Sequence, residues 1–134
     1  MSLDLRPMEN AISRLEEGLT AHSADPDVTI VRDGLVQRFE FTWEITHKML
    51  RRFLAESGPS EDEIAQMSFP DVIRTANERG LLLGNWLSWK RFREMRGKTS
   101  HTYDEAVALE VVASIPAFLE EARHLRDEMR KRLA

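Results

Sequence analysis

The sequence predicts an all-helical chain, an up-and-down antiparallel bundle of four or five helices that pairs with a second copy through its second helix and a motif near residue 100. Three observations predict it. Apolar residues recur at steps of three and four through long stretches, the period of a helix buried on one side. No run alternates apolar and polar residues as a half-buried strand does, and no internal repeat is visible. The breaks between periodic stretches are short and carry Gly, Pro, Asn, Asp or Ser, which suits antiparallel neighbours. At 134 residues the chain fits one domain, residues 1–134. A domain of that size buries roughly 68% of its unfolded surface, enough for a core without staples.

The first helix is expected from about Leu5 to Thr20, where Met8, Ile12, Leu15 and Leu19 share a face. Asp25-Pro26-Asp27 makes a turn, with Asp27 as N-cap of a long second helix reaching about Glu56. Ser57 to Glu63, with Gly58-Pro59 and three acids, reads as a solvated loop. Ser68 opens a short third helix with Pro70 and Asp71 in its first turn, and Gly80 and Gly84 bracket its end. A fourth helix runs from about Asn85 to Arg96. After the Gly97 to Ser100 break, Thr102 and Glu105 have capping-box spacing for the last helix. There Val107, Val111, Ile115, Phe118, Ala122, Leu125, Met129 and Leu133 form one stripe, which Pro116 is expected to bend.

The second helix is apolar around more than half its circumference. Val28, Val31, Leu35, Phe39, Leu50 and Phe53 make a stripe that Val36 and Trp43 widen on one side and Phe41, Ile45 and Met49 on the other. Asp33, Gln37, Glu40, Glu44, Lys48 and Arg51 form the wet face. A surface helix of a small monomer is not apolar so far round. Two burial partners, its own bundle and a second subunit, account for the pattern; a central helix in a monomer is the alternative.

Composition removes several functional classes. There is no cysteine, hence no disulfide, thiolate metal site or thiol nucleophile, and a reducing, cytoplasmic setting is expected. Asp4, Arg6 and Glu9 interrupt any early apolar run, and no stretch approaches the roughly 20 apolar residues that cross a bilayer. No phosphate-binding glycine loop, Gly-x-Ser-x-Gly or His-Glu-x-x-His motif is present. Net charge is -4 and pI about 5.6, yet Lys90, Arg91, Arg93, Arg96 and Lys98 cluster with only Glu94 against them. That cluster is either a solvated helix face or a phosphate-binding patch.

Two Glu-x-x-His pairs, Glu44 with His47 and Glu121 with His124, have the spacing of a di-metal bundle site. Glu44 lies on the wet face, and Glu121 and His124 fall outside the apolar stripe of the last helix. Metal ligands must project inward, so no metal is expected. His22 sits in a turn. Trp43, Trp86 and Trp89 have the helical spacing of core residues, although aromatics can also stack on bases.

Arg96-Gly97-Lys98-Thr99-Ser100-His101-Thr102-Tyr103 stands apart. Trp89, Phe92 and Arg96 share a helix face, so a guanidinium ends a row of large aromatics and requires an anion or a cleft. His101 follows beside the N-terminus of the last helix, which favours anions. A histidine that moves protons and an arginine that clamps a phosphate suit phosphodiester chemistry. A capped interhelical turn, with Arg96 on carbonyls or carboxylates and His101 packed, explains the same residues.

At these residues the chain resembles the HEPN superfamily, whose motif is Arg-x4–6-His, and most closely the nucleotidyltransferase substrate-binding subgroup that includes HepT-type toxins. Arg96, His101 and Tyr103 match the form Arg-x4-His-x-Tyr. Ser100-His101-Thr102-Tyr103-Asp104-Glu105 and Arg38-Phe39-Glu40-Phe41-Thr42-Trp43-Glu44 are similar as well, and the likeness covers nearly the whole chain. The resemblance implies a dimer that pairs Arg96 and His101 from both subunits across a cleft. It implies cleavage of RNA without metal or cofactor, through attack of the 2′-OH on the adjacent phosphate. His101 would be the acid/base, Arg96 the phosphate clamp, and Lys90, Arg91, Arg93 and Lys98 would hold RNA. It also implies a minimal nucleotidyltransferase encoded nearby, which attaches AMP to Tyr103 and so neutralises a toxin. Gly97 departs from the pattern, where a polar residue such as asparagine commonly follows the arginine. That departure and the overall acidity leave open a non-catalytic subunit that binds substrate or nucleotide for its partner; a structural dimer that keeps the motif as a staple is a third reading.

Overall fold

A computed structural model describes residues 3–57 and 61–133. Its elements are α1 (Arg6–Ala24), α2 (Thr29–Ser57), α3 (Glu61–Gln66), α4 (Phe69–Glu78), α5 (Trp86–Gly97), a 3-10 turn (Thr99–His101) and α6 (Glu105–Leu133). No strand occurs among the described residues. The four long helices alternate in direction. Arg38 Nη1 donates to Arg14 O and Thr42 Oγ1 to Ala11 O, setting α1 against α2. Arg123–Glu16 and Arg130–Glu9 set α1 against α6. Lys98–Glu110 and Glu121 with Leu83 and Gly84 set α5 against α6. The predicted up-and-down bundle is therefore present, with α3 and α4 inserted between α2 and α5.

Local chemistry explains most boundaries. Pro7 lies in the first turn of α1, which runs past the expected Thr20 to Ala24. α2 begins one residue later than a cap at Asp27 would place it: Val28 O accepts the first helical bond, from Arg32 N at 3.2 Å. Residues 61–63, expected in a loop, form the first turn of α3. Glu61, Asp62 and Glu63 there favour the positive end of a helix, and buried Ile64 anchors it. Gly58 and Pro59 of that expected loop lie outside the described residues. Ser68 caps α4 where that helix was expected to open, accepting from Asp71 N, and Asn85, expected as the first residue of its helix, caps α5 by accepting from Leu87 N. Gly80 closes α4 with φ 71°, a conformation that glycine adopts without a Cβ penalty.

The α6 cap differs from expectation. Asp104 Oδ1 accepts from Ala106 N at 2.9 Å and Val107 N at 3.4 Å, while Thr102 Oγ1 turns back to Thr99 O. Asp104 wins because it sits directly before the helix with an ionised acceptor. Glu105 is then free for another partner. α6 continues through Pro116 as one helix.

The core forms around Phe118, whose ring meets Phe39 at 5.2 Å and Phe92 at 5.5 Å, both edge-on. Trp89 is fully buried and Trp43 nearly so, as their spacing implied. Leu35, Phe39, Leu50 and Phe53 of α2 and Val111, Ile115, Ala122, Leu125 and Met129 of α6 complete it. Ile30 (78%) and Phe41 remain exposed on α2, with Ile45 half-buried between bundle and solvent. Among the described residues no helix is long and apolar enough to cross a membrane.

Candidate functional site

The motif occupies the joint between α5 and α6. Backbone bonds from His101 N to Lys98 O and from Asp104 N to His101 O make consecutive tight turns that reverse the chain. Thr99 anchors them: it is 7% exposed, and its hydroxyl lies 2.7 Å from Glu40 Oε2 and 2.8 Å from Arg96 O. Arg96, in the last turn of α5, reaches across to α2. Its Nε donates to Glu44 Oε1 at 3.1 Å and its Nη2 to the same oxygen; Nη1 lies 3.4 Å from Thr99 Oγ1 and 3.9 Å from Glu40 Oε2. The anion that Arg96 required is thus supplied within the chain, by two carboxylates one helical turn apart.

His101 and Tyr103 are not held in this way. His101 is exposed, and Tyr103 is 87% exposed with its ring 6.2 Å from the imidazole. The structural alternative drawn from the sequence is met in one half only, since Arg96 bonds carboxylates but His101 does not pack. Just beyond, Arg32 (6% exposed) grips Glu105 with both terminal nitrogens, at 2.8 and 3.0 Å. That bidentate contact holds the Glu105 carboxyl below its ordinary range. Arg32, Glu40 and Glu44 are spaced along one edge of α2, so this edge fastens the motif at both ends.

The basic cluster divides. Lys98 is committed to Glu110 at 2.6 Å, and Arg93 lies over the Phe69 ring at 5.4 Å. Lys90 and Arg91 are exposed on the outer face of α5 and form no ion pair among the described residues.

The two Glu-x-x-His pairs have other employment. Glu44 is engaged by Arg96. His47 packs against Trp43 and Phe69 and accepts from Arg51 Nε at 3.0 Å. Burial first, then Arg51 and Arg93, push its pKa down to about 4. Glu121 corrects an expectation: it is buried, not outside the apolar stripe. Its carboxylate accepts from Leu83 N at 3.1 Å and from Gly84 N, and burial raises its pKa. Among the described residues no group of His, Asp or Glu could hold a metal ion.

Sequence reasoning located Arg96, His101 and Tyr103 but assigned nothing to Thr99, Arg32 or Glu105 beyond capping. It placed Glu40 and Glu44 only on a wet face. Their four-residue spacing is the one local signal, and it does not name a partner more than 50 residues away.

The family described as nucleotidyltransferase substrate binding protein like matches residues 3–131. A Haemophilus influenzae protein named probable ribonuclease HepT is 36% identical over 97% of this chain and 94% of its own length. A solved Haemophilus influenzae structure, described as revealing the fold of a substrate-binding domain of a nucleotidyltransferase, superposes with TM-score 0.87 at 33% identity, covering 95% of this chain and 99% of that one. A crystal structure of a Thermus thermophilus protein superposes with TM-score 0.74 at 30% identity, covering 92% and 98%.

Proposed function

This chain belongs to the nucleotidyltransferase substrate-binding family, and on that premise we propose that it is the toxin subunit of a toxin–antitoxin pair. It acts in the cytoplasm as a homodimer of one domain spanning residues 1–134, and it cleaves RNA without a metal. The observation that carries this reading is the contrast within the joint at 96–103. Arg96 is secured there while His101 and Tyr103 are left bare to solvent, where a purely structural turn would bond or bury the imidazole.

His101 removes the proton from a ribose 2′-OH, whose oxygen bonds to the adjacent phosphorus as the bond to the 5′ oxygen breaks. The departing oxygen takes a proton from the second His101 of the dimer, leaving 2′,3′-cyclic phosphate and 5′-hydroxyl ends. Arg96 neutralises the charge that builds on the phosphorane. Lys90 and Arg91 hold the strand, with Arg93 and Lys98 contributing where their present partners release them.

A partner nucleotidyltransferase transfers AMP from ATP to Tyr103. The phenolic oxygen bonds to the α-phosphorus, pyrophosphate departs and the phenolic proton is lost. The exposure of Tyr103 gives an enzyme access to it, and an anionic adduct two residues from His101 obstructs RNA.

Purified protein with unmodified Tyr103 is expected to cleave RNA in chelator, and His101→Ala and Arg96→Ala to lose that activity. Expression of the wild-type chain alone is expected to arrest growth, and neither variant to do so. A second reading, a non-catalytic subunit presenting substrate or nucleotide to the transferase, is favoured by Gly97 and by the carboxylates already on Arg96. Absence of cleavage from a folded, unmodified dimer would move the assignment there.

A further inference from the structure

Arg96 poses an electrostatic problem for a phosphate clamp. Its Nε–Nη2 edge, the edge that takes a phosphate bidentately, already faces Glu44 Oε1. A second carboxylate, Glu40, stands 3.9 Å from Nη1. Two carboxylates beside the clamp repel the anion it is meant to bind.

The carboxylates are not equivalent. Glu44 is well exposed, and among the described residues its side chain hydrogen-bonds only to the guanidinium, so water and ions can exchange against it. Glu40 contacts the turn more closely than the cation. Thr99 has one hydroxyl proton and two acceptors in reach, Glu40 Oε2 at 2.7 Å and Arg96 O at 2.8 Å. The ionised acceptor at the shorter distance takes it. That choice leaves an oxygen lone pair for Arg96 Nη1. Thr99 stands between Arg96 and His101 in the chain and is buried, so its bond to α2 sets where both functional side chains emerge.

We propose that Glu40 and Glu44 divide the preparation of the site: Glu40, through Thr99, is a positioning residue for Arg96 and His101, whereas Glu44 is a counter-ion that the substrate phosphate displaces. The proposal rests on the ribonuclease reading. Glu44 keeps the guanidinium extended and soluble in the empty site, and phosphate takes its place on the same edge. Glu40 remains bonded to the turn throughout and does not touch substrate.

Steady-state RNA cleavage by Glu40→Ala, Glu40→Gln, Thr99→Val and Glu44→Gln separates these roles. Glu40→Ala and Thr99→Val are expected to lose kcat on the order of tenfold or more, the scale of a misplaced catalytic group, with KM little changed. Glu40→Gln recovers most of that loss, because the amide oxygen still accepts the Thr99 proton. Glu44→Gln lowers KM several-fold by removing the competitor for Arg96. The proposal is overturned if Glu40→Ala keeps wild-type kcat, if Glu40→Gln is as impaired as Glu40→Ala, or if Glu44→Gln raises KM.

Should the wild-type protein cleave no RNA, the ribonuclease reading fails by itself and the same variants still decide the geometry. Amide exchange at Ser100–Tyr103 must then quicken in Glu40→Ala and Thr99→Val but not in Glu40→Gln. Inorganic phosphate, followed at the Arg96 Nε–H by NMR, must bind more tightly in Glu44→Gln. Unchanged exchange or unchanged phosphate binding refutes the division of roles.

Discussion

His47 illustrates how one side chain ties stability to pH in this bundle. Trp43 and Phe69 shield its ring, and Arg51 donates to the nitrogen a proton would occupy. The unfolded chain protonates this imidazole near pH 6.5, and the folded chain only near 4. Between those values the unfolded state binds more protons, so stability falls as pH falls through the window. After allowance for the partly open side of the ring, the loss is about 1–2 kcal/mol. Glu121 works in the opposite sense, since its raised pKa lets acid relieve a buried charge. Urea midpoints between pH 6.5 and 4.5 are expected to decline in the wild type and to flatten in His47→Gln; an unchanged slope would contradict this account. Glu121 also marks what a polarity pattern cannot reveal. A carboxylate buried on the N–H groups of Leu83 and Gly84 looks, by residue type, like a surface residue. The contact needs the missing side chain of Gly84, because a Cβ there would stand 2.6 Å from Glu121 Oε1 and 2.9 Å from Ser88 Cβ. Gly84→Ala is expected to destabilise the fold by about 1–3 kcal/mol, the usual penalty of overpacking, measured by urea denaturation.

Elements were legible wherever their signals lie within one turn of chain. Ser68, Gly80 and the stripe of α6 act locally, and the structure places them as expected. The signals that misled were local competitors. Thr102 and Glu105 have capping-box spacing, but Asp104 stands between them with a stronger acceptor, and Arg32 recruits Glu105 from another helix. The acids at 61–63 read as solvation, although the same charges favour a helix start once Ile64 is buried. The α6 assignment has a direct check. Asp104→Ala is expected to cost about 1 kcal/mol in urea denaturation, the value of a good N-cap, and Thr102→Ala distinctly less, because among the described residues its hydroxyl bonds only Thr99 O. The reverse order would restore the capping box.

At the scale of the whole molecule, the apolar excess on α2 is only partly absorbed by its own bundle. Leu35, Phe39, Leu50 and Phe53 enter the core, whereas Ile30 and Phe41 stay in solvent and Ile45 is half covered. At roughly 100° per residue, Ile30, Gly34, Phe41 and Ile45 line one lateral strip, and a Cβ at Gly34 would meet nothing. The strip borders the edge carrying Glu40 and Glu44, so whatever covers it lies beside the motif. The dimer proposed above would be expected to use this strip, because a second copy seated there would have its own motif close by. Hence loss of the proposed dimer is expected to take the proposed activity with it. Ile30→Glu tests this without disturbing the core, since the side chain is 78% exposed and an acid suits the first turn of a helix. Sedimentation is expected to show the wild-type chain as a dimer and Ile30→Glu as a folded monomer that no longer cleaves RNA. A variant that stays dimeric would move the interface elsewhere, to the exposed Leu83 before α5 and Leu87 in its first turn. A monomer that still cleaves would mean that one Arg96 and one His101 suffice, and the second imidazole would lose its role as acid.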